Sequence, residues 1–248
     1  MSELVTVLLL ALLPGTGNFL GGMAAEIRKP SQRFLNWALH AASGIVIAIV
    51  AIELMPKALE GLSGWWIALA FLLGGLAYMT LEMVVERLQG GEGGGRSRMW
   101  MIYAAVAVDL TSDGLMLGAG SAVSSSLGLV LAAGQVLADV PEGYATVANF
   151  RDKGLPRSRR ILFAASFFIY VVGAAIGAHF LLRDAPAEMK LAALVFVAGL
   201  LTVAAVEDML EEAHSAHADS RRSVLAFIGG FTLFTLVSTG LNELVRSW

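Results

Sequence analysis

The sequence predicts an all-α membrane protein with eight transmembrane helices and both termini outside. Hydrophobic residues make up 57% of the 248 residues, charged residues only 15%, and the mean hydropathy is +0.72. A soluble domain carries about a quarter charged residues. Because a helix needs about 20 mostly apolar residues to cross a bilayer, the apolar runs leave no room for a soluble domain. We therefore expect residues 1–248 to form a single transmembrane domain.

Polar and glycine-rich connections divide the chain into eight apolar runs. Their approximate bounds are 3–25, 34–56, 64–86, 99–120, 124–149, 160–182, 188–210 and 223–243. The first run lacks a basic segment before its apolar core and includes Glu3, so we expect a span and not a cleaved signal. Glycines dominate part of residues 87–98, and this segment is expected to be a flexible linker between spans three and four.

The basic residues predict the orientation. With eight spans the loops alternate between two sides, and 13 of the 17 lysines and arginines fall on one side. That set is Arg28, Lys29, Arg33, Arg87, Arg96, Arg98, Arg151, Lys153, Arg157, Arg159, Arg160, Arg221 and Arg222. The positive-inside rule places this side, with the 87–98 linker, in the cytoplasm. We expect a multi-pass protein of the cell (inner) membrane whose termini face outward.

Several function classes are not supported by the sequence. The chain has no cysteine, which excludes disulfides, cysteine-based zinc fingers and iron–sulfur clusters. It has no GxGxxG or GxxxxGK[ST] phosphate loop and no HExxH motif. The sequence has no basic patch interleaved with aromatic residues, so we expect no nucleic-acid partner. We expect no enzyme activity and no organic cofactor; the expected partners are the lipid bilayer and an ion.

Four acidic residues lie inside spans four and five, where charge is expensive. Asp109 and Asp113 belong to span four, and Asp139 and Glu142 to span five. Each ionised group near the bilayer centre costs about 2.5–3.5 kcal/mol on insertion scales, so the four need compensation. Neither span carries a lysine, arginine or histidine near them. The countercharge is therefore expected to be a bound cation, protons, or both.

Helix geometry brings these residues together. Asp109 and Asp113 are four positions apart and Asp139 and Glu142 three apart, so each pair shares a helix face. The antiparallel spans place both pairs at similar depths near the membrane midplane. Pro141 cannot donate a backbone N–H, which predicts a freed carbonyl at a helix break, and Gln135 could complete the polar lining. A proton relay and a purely structural role are the alternatives to a cation site.

Three segments carry a resemblance to a known family. They are Asp139-Val140-Pro141-Glu142-Gly143 in span five, Glu53-Leu54-Met55-Pro56-Lys57-Ala58 in span two, and Glu207-Asp208-Met209-Leu210-Glu211-Glu212-Ala213-His214 after span seven. They resemble the ZIP (Zrt/Irt-like) family of divalent metal transporters. The resemblance implies a ZIP-like bundle with a metal site in mid-membrane, formed here by Asp109, Asp113, Asp139, Glu142 and Gln135. It also implies a pathway along Glu53, Glu207, Asp208, Glu211 and His214.

The chain departs from the family pattern at the site itself. Asp109 stands where the family has histidine, Leu110 where it has asparagine, and Asp113 where it has glutamate. Tyr170 aligns with a family glutamate that bridges a second metal, so a full two-metal centre is not expected. Because all-oxygen sites suit hard cations, the ion is expected to shift from zinc towards manganese or ferrous iron.

The resemblance implies a secondary transporter that moves a divalent metal ion into the cytoplasm by alternating access. The metal would be the transported substrate. The alternative is a protein of the same fold that has lost metal transport and moves protons or another small solute. Proton coupling and a homodimer are left open by the sequence.

Overall fold

The computed structural model describes residues 3–28, 31–88, 95–210 and 221–247, and within these ranges the regular structure is helical. The α-helices are α1 Glu3–Ile27, α2 Gln32–Ala48, α3 Met55–Gly61, α4 Gly64–Leu88, α5 Gly95–Val123, α6 Ser125–Asp152, α7 Arg157–Leu182, α8 Ala187–Ala204 and α9 Arg221–Arg246. Two π-helical segments complete the order. Ile49–Leu54 joins α2 to α3, and Ala205–Met209 follows α8.

Seven helices in the described part of the chain are long and apolar enough to cross a membrane, with α2, the π segment and α3 counting as one. The one predicted span that is not among these seven is span five. It corresponds to α6, which does not meet the hydropathy criterion. Its polar residues, Asp139 and Glu142 among them, lower its mean hydropathy. At 28 residues it is about 42 Å long, enough for a span. The eighth crossing and the outward-facing termini stay predictions.

The linker prediction falls partly on described residues. Helix α4 continues through Leu88, and α5 begins at Gly95, so both edges of the 87–98 segment are helical. Residues 89–94, which include most of the glycines, lie outside the described residues. The flexible linker between spans three and four therefore stays a prediction.

The helices pack as two groups of four. Helices α1, α5, α6 and α7 form the first group, with extensive α1–α6 and α5–α7 contacts. Helices α2, α4, α8 and α9 form the second, through the α2–α9 and α4–α8 pairs. Contacts of α6 with α2 and α9, and of α5 with α8, join the groups. This arrangement places α5 and α6 at the centre of the bundle.

Glycines allow the closest helix pairs to touch through their backbones. A β-carbon added at Gly21 of α1 would overlap the carbonyl oxygen of Val140 in α6. In the second group, a β-carbon at Gly44 of α2 would overlap the carbonyl of Phe227 in α9. Lipid tails are as apolar as leucine, so close van der Waals packing of small residues is a main source of helix association in membranes.

The outer surface of the bundle is apolar. Helix α4 exposes large side chains along its length, and Trp65 is 88% and Leu72 56% exposed. Helix α9 does the same with Leu225 and Leu236. In water such a surface would mark an association site, but a surface of this kind matches the lipid-facing belt of a membrane bundle.

An ion pair that the sequence did not predict ties α1 to α7. Glu26 accepts hydrogen bonds from Nε and Nη2 of Arg160, the latter at 2.8 Å, and the two side chains are only 6% and 12% exposed. Arg160 also donates to the carbonyl of Leu155. Because a largely buried charge needs a partner, this pair fixes the ends of two helices in the first group.

The α1–α6 contact generates a stability prediction. We expect Gly21→Ala to lower the unfolding temperature in detergent, because the added methyl overlaps the Val140 carbonyl and overpacking costs about 1–3 kcal/mol. Gly177→Ala in α7 is the matched control, since a β-carbon there meets no atom within 4 Å among the described residues. Equal unfolding temperatures for the two variants would contradict the packing role assigned to Gly21.

Candidate metal centre

The acidic residues predicted in spans four and five come together where α5 packs against α6. Asp113, Asp139 and Gln135 are 0% exposed, Asp109 is 4% and Glu142 8% exposed. Asp109 and Asp113 lie on α5, and the other three lie on α6. The two helices thus enclose four carboxyl groups and one amide in the interior of the bundle.

The carboxyl groups are arranged as two pairs across the helix contact. Asp109 of α5 interacts with Glu142 of α6, and Asp113 of α5 interacts with Asp139 of α6. Gln135 lies at the second pair: its Nε2 donates to Oδ1 of Asp113 and, at 3.4 Å, to Oδ1 of Asp139. The amide therefore bridges two carboxyl groups that would otherwise face each other alone.

Each of the five side chains also keeps one oxygen atom without a hydrogen-bond partner among the described residues. The atoms are Oδ2 of Asp109, Oδ2 of Asp113, Oδ2 of Asp139, Oε2 of Glu142 and Oε1 of Gln135. Within the same ranges no lysine, arginine or histidine forms an ion pair with any of the four acids. Buried acceptors without donors or countercharge are costly, and a bound cation or protons would relieve that cost.

The paired arrangement is not yet a closed metal site. Within the described ranges, no group of three or more histidine, cysteine, aspartate or glutamate side chains is placed to hold one metal ion. To bind a metal ion, the Asp109–Glu142 pair would need a third ligand that moves towards it. The predicted centre of Asp109, Asp113 and Glu142, with Asp139 and Gln135, therefore stays a prediction.

Helix α6 is continuous through Pro141, where the sequence had indicated a break. The proline still lacks an N–H, so the carbonyl of Leu137 has no ordinary helical donor. Thr146 donates to the carbonyl of Glu142 at 2.9 Å, which satisfies a backbone acceptor beside the acids. The carboxylates of α6 are therefore held on a regular helix.

Glu53 lies apart from this cluster, in the π segment after α2. It is 6% exposed, and its Oε1 accepts from Oγ of Ser238 and, at 3.4 Å, from Nδ2 of Asn242 on α9. Glu53 lines a cavity of about 370 Å³ that also borders Glu60 and the start of α6 at Ser126. A buried carboxylate thus faces a polar cavity between the two helix groups.

The remaining pathway residues are only partly described. Glu207 is half-buried in the π segment after α8, and Asp208 follows it there, but the Asp208 side chain lies outside the described part. Glu211 and His214 fall outside the described residues. Tyr170 accepts a 3.3 Å hydrogen bond from Tyr103 and is 36% exposed on the bundle surface, so it lines no part of the central cluster.

Sequence reasoning passed over Asn18, which lies in the middle of α1. It is 1% exposed, and its Nδ2 has no hydrogen-bond partner among the described residues. A signal was present, because an asparagine inside an otherwise apolar span is unusual and polar residues there tend to face the bundle interior.

The chain is similar to proteins named zinc transporter ZupT. It is 37% identical over 81 residues to the one from Escherichia fergusonii and 36% over 81 residues to the one from Enterobacter sp. strain 638; each match covers 32% of both chains. The ZupT of Corynebacterium efficiens is 35% identical over 66 residues, 26% of this chain and 25% of the relative. The matches thus span about a third of those relatives or less. No family model matches.

The seven apolar helices of the described residues are consistent, by length and composition, with the predicted multi-pass membrane protein. The relatives are named for zinc transport, which is the function class that the sequence resemblance implied for this chain.

The uncompensated carboxyl groups generate a stability prediction. In the presence of a metal chelator at neutral pH, we expect Asp113→Asn to raise the unfolding temperature in detergent. An amide keeps the bond from Gln135 and removes one like charge beside Asp109 and Asp139. A gain of about 1 kcal/mol would shift the midpoint by about 2–4 °C.

Asp184→Asn is the control for that measurement, because Asp184 is exposed and, among the described residues, forms an ion pair with its neighbour Arg183 alone. Its unfolding temperature should match that of the wild type within error. An Asp113→Asn variant that unfolds at or below the wild-type temperature in chelator would show that the cluster carries no net electrostatic cost.

Proposed function

We propose that this chain is a divergent member of the ZIP family and a secondary transporter that carries a divalent metal cation into the cytoplasm by alternating access. The observation that carries the proposal is the set of five buried side-chain oxygen atoms without hydrogen-bond partners at the α5–α6 contact. A divalent cation supplies the countercharge that the described side chains do not.

Asp109, Asp113 and Glu142 bind the cation in this proposal, while Asp139 and Gln135 assist. Asp109 and Glu142 already approach each other across the helix contact. Asp113 is one turn from Asp109 on the same face of α5. A change of rotamer at Asp113, away from Gln135, would bring a third carboxylate to the pair. Gln135 then donates its hydrogen bond to Asp139. Asp139 needs that donor, or a proton, once the Asp113 side chain has moved away from it.

The ligand chemistry bears on which ion is carried. The relatives are named zinc transporters, which makes zinc a candidate for this chain. The five site side chains offer only oxygen atoms, and such sites discriminate less against manganese and ferrous iron than sites with imidazole do. We therefore propose a substrate range shifted towards manganese or ferrous iron relative to a histidine-containing site.

Glu53 and Glu207 are proposed to border the route to and from the centre. Glu53 faces the 370 Å³ cavity where α6 begins, and the positive-inside rule places that end of the bundle outside. Glu207 lies at the opposite end of the second helix group, in the other π segment. π segments inside helices are frequent at functional sites, because they shift side chains out of the regular helical register.

Proton movement is the second candidate function. The observation that favours it is the pairing of the carboxyl groups, since two facing carboxyl groups can share a proton without any metal. A protein of this fold that moves protons or another small solute would keep the buried acids and transport no metal.

Uptake into proteoliposomes separates these candidates. We expect wild-type protein to take up manganese or zinc, and Asp113→Ala and Glu142→Ala each to reduce the initial rate at least tenfold, because each removes a charged ligand. Asp184→Asn, at an exposed loop position, should transport at the wild-type rate. A metal-sensitive dye inside the vesicles measures the rate, and a pH-sensitive dye measures accompanying protons.

Two results of that assay would count against the proposal. Wild-type rates in both alanine variants would show that the assigned residues are not the site. Proton flux without metal uptake in the wild type would favour the second candidate function.

Equilibrium binding tests the proposed ion range. We expect the dissociation constants for zinc and manganese in purified protein to differ by less than about a hundredfold, since oxygen ligands weaken the advantage that zinc gains from imidazole. Isothermal titration in detergent gives both constants. Zinc binding more than a hundredfold tighter than manganese would contradict the shift.

A further inference from the structure

Asn18 of α1 carries a buried side-chain amide to which the proposed transport function assigns no role. Asn18 is 1% exposed, and its Nδ2 finds no hydrogen-bond partner within the described ranges. An amide buried without its hydrogen bonds costs about 1–3 kcal/mol by mutational measures. A helix that needed only an apolar contact here would be more stable with leucine.

The register of α1 on α6 places Asn18 at the level of the acids. Its backbone touches Gly143, the residue after Glu142: a β-carbon at Gly143 would overlap the carbonyl oxygen of Asn18. One turn along α1, Gly21 meets the carbonyl of Val140, which follows Asp139. The turns of α6 that hold Asp139 and Glu142 are therefore the turns against which Asn18 packs.

The neighbours of Asn18 occupy the other faces of α1. Phe19 packs against Phe168 of α7 with ring centroids 6.3 Å apart, and Leu20 is 58% exposed on the outer surface. Asn18 shares the buried face of α1 with Ala11 and Pro14. That face is directed towards the interior of the first helix group, which contains the carboxyl cluster.

The unpaired atoms at this level are chemically complementary. Asn18 has a donor without an acceptor, whereas Asp109 and Glu142 each have an acceptor oxygen without a donor. Leu110, which stands at the family's asparagine position in α5, is 0% exposed and supplies no polar group. The residue after Asp109 on α5 thus supplies no hydrogen-bond donor, whereas Asn18 on α1 does.

We propose that Asn18 is a positioning residue of the metal centre, whose side-chain amide donates to a carboxylate of the Asp109–Glu142 pair and orients it towards the bound cation. The inference rests on the proposed function of that site. A hydrogen bond from a neighbouring group fixes the orientation of a ligating carboxylate, and loss of such a partner typically costs 10- to 100-fold in metal affinity.

Manganese binding to the purified full-length protein tests the assignment. We expect Asn18→Leu, which keeps the branching and the number of heavy atoms of the side chain, to weaken manganese binding 10- to 100-fold by isothermal titration. In chelator, the same variant should unfold at the wild-type temperature or above, because it removes an unpaired buried amide. Weakened binding together with unimpaired metal-free stability is a result that a merely structural asparagine would not give.

Ser121→Ala is the matched control. Ser121 lies on α5 and also has a buried side-chain atom, Oγ, without a hydrogen-bond partner in the described part of the chain. It packs beside Gly128, away from the acids of α6. Its removal should leave manganese affinity unchanged, so an equal loss of affinity in both variants would overturn the specific role of Asn18. If Asn18→Leu does not fold, Asn18→Ala takes its place with the same expected loss of affinity.

The outcomes separate this inference from the function on which it rests. Wild-type affinity in Asn18→Leu or Asn18→Ala, together with lost binding in Glu142→Gln, would overturn the role of Asn18 alone. No manganese or zinc binding by the wild type, or unchanged binding in Glu142→Gln, would overturn the proposed metal centre itself.

Discussion

Four buried carboxyl groups that have no cationic partner among the described residues are the constraint on which the rest of this structure depends. Asp113 and Asp139 are fully buried, and Asp109 and Glu142 nearly so. The interior stabilises them only partly, through Gln135 and through carboxyl pairing across α5 and α6. Such a cluster is tolerated where protons or a cation join it, and the proposed function depends on that requirement.

The helix packing around the cluster serves to keep it from lipid. Backbone contact between α1 and α6 at Gly21 and Gly143 brings α1 close enough to cover the acid-bearing turns. The buried Glu26–Arg160 ion pair fixes the end of α1 against α7. The helices of the second group expose apolar side chains outward and contact α5 and α6 inward. Every element next to the acids therefore excludes lipid from them.

Among the described residues, π-helical turns occur only in the second group, where they include three further acidic residues, Glu53, Glu207 and Asp208. The π segments hold Glu53 and Glu207, and Ser43 of α2 donates to the carbonyl of Ala205 at 3.0 Å, which satisfies a backbone group at the second π segment. The first group is built from regular helices, even at Pro141. Regular α-helices thus hold the central acids, while π-helical turns hold Glu53 and Glu207.

The sequence alone determined the all-helical class of the fold and the burial of the acids. The length and hydropathy of each apolar run determine a span, because both are local properties of the sequence. The helical period determines the shared faces, since it places Asp109 beside Asp113 and Asp139 beside Glu142. The pairing of the acids, the bridge from Gln135 and the contact of Asn18 with Gly143 depend on which helices pack together and in what register. Tertiary contacts alone decide that register. A glycine or a single polar residue in an apolar span does not indicate, from the sequence, which helix it will pack against.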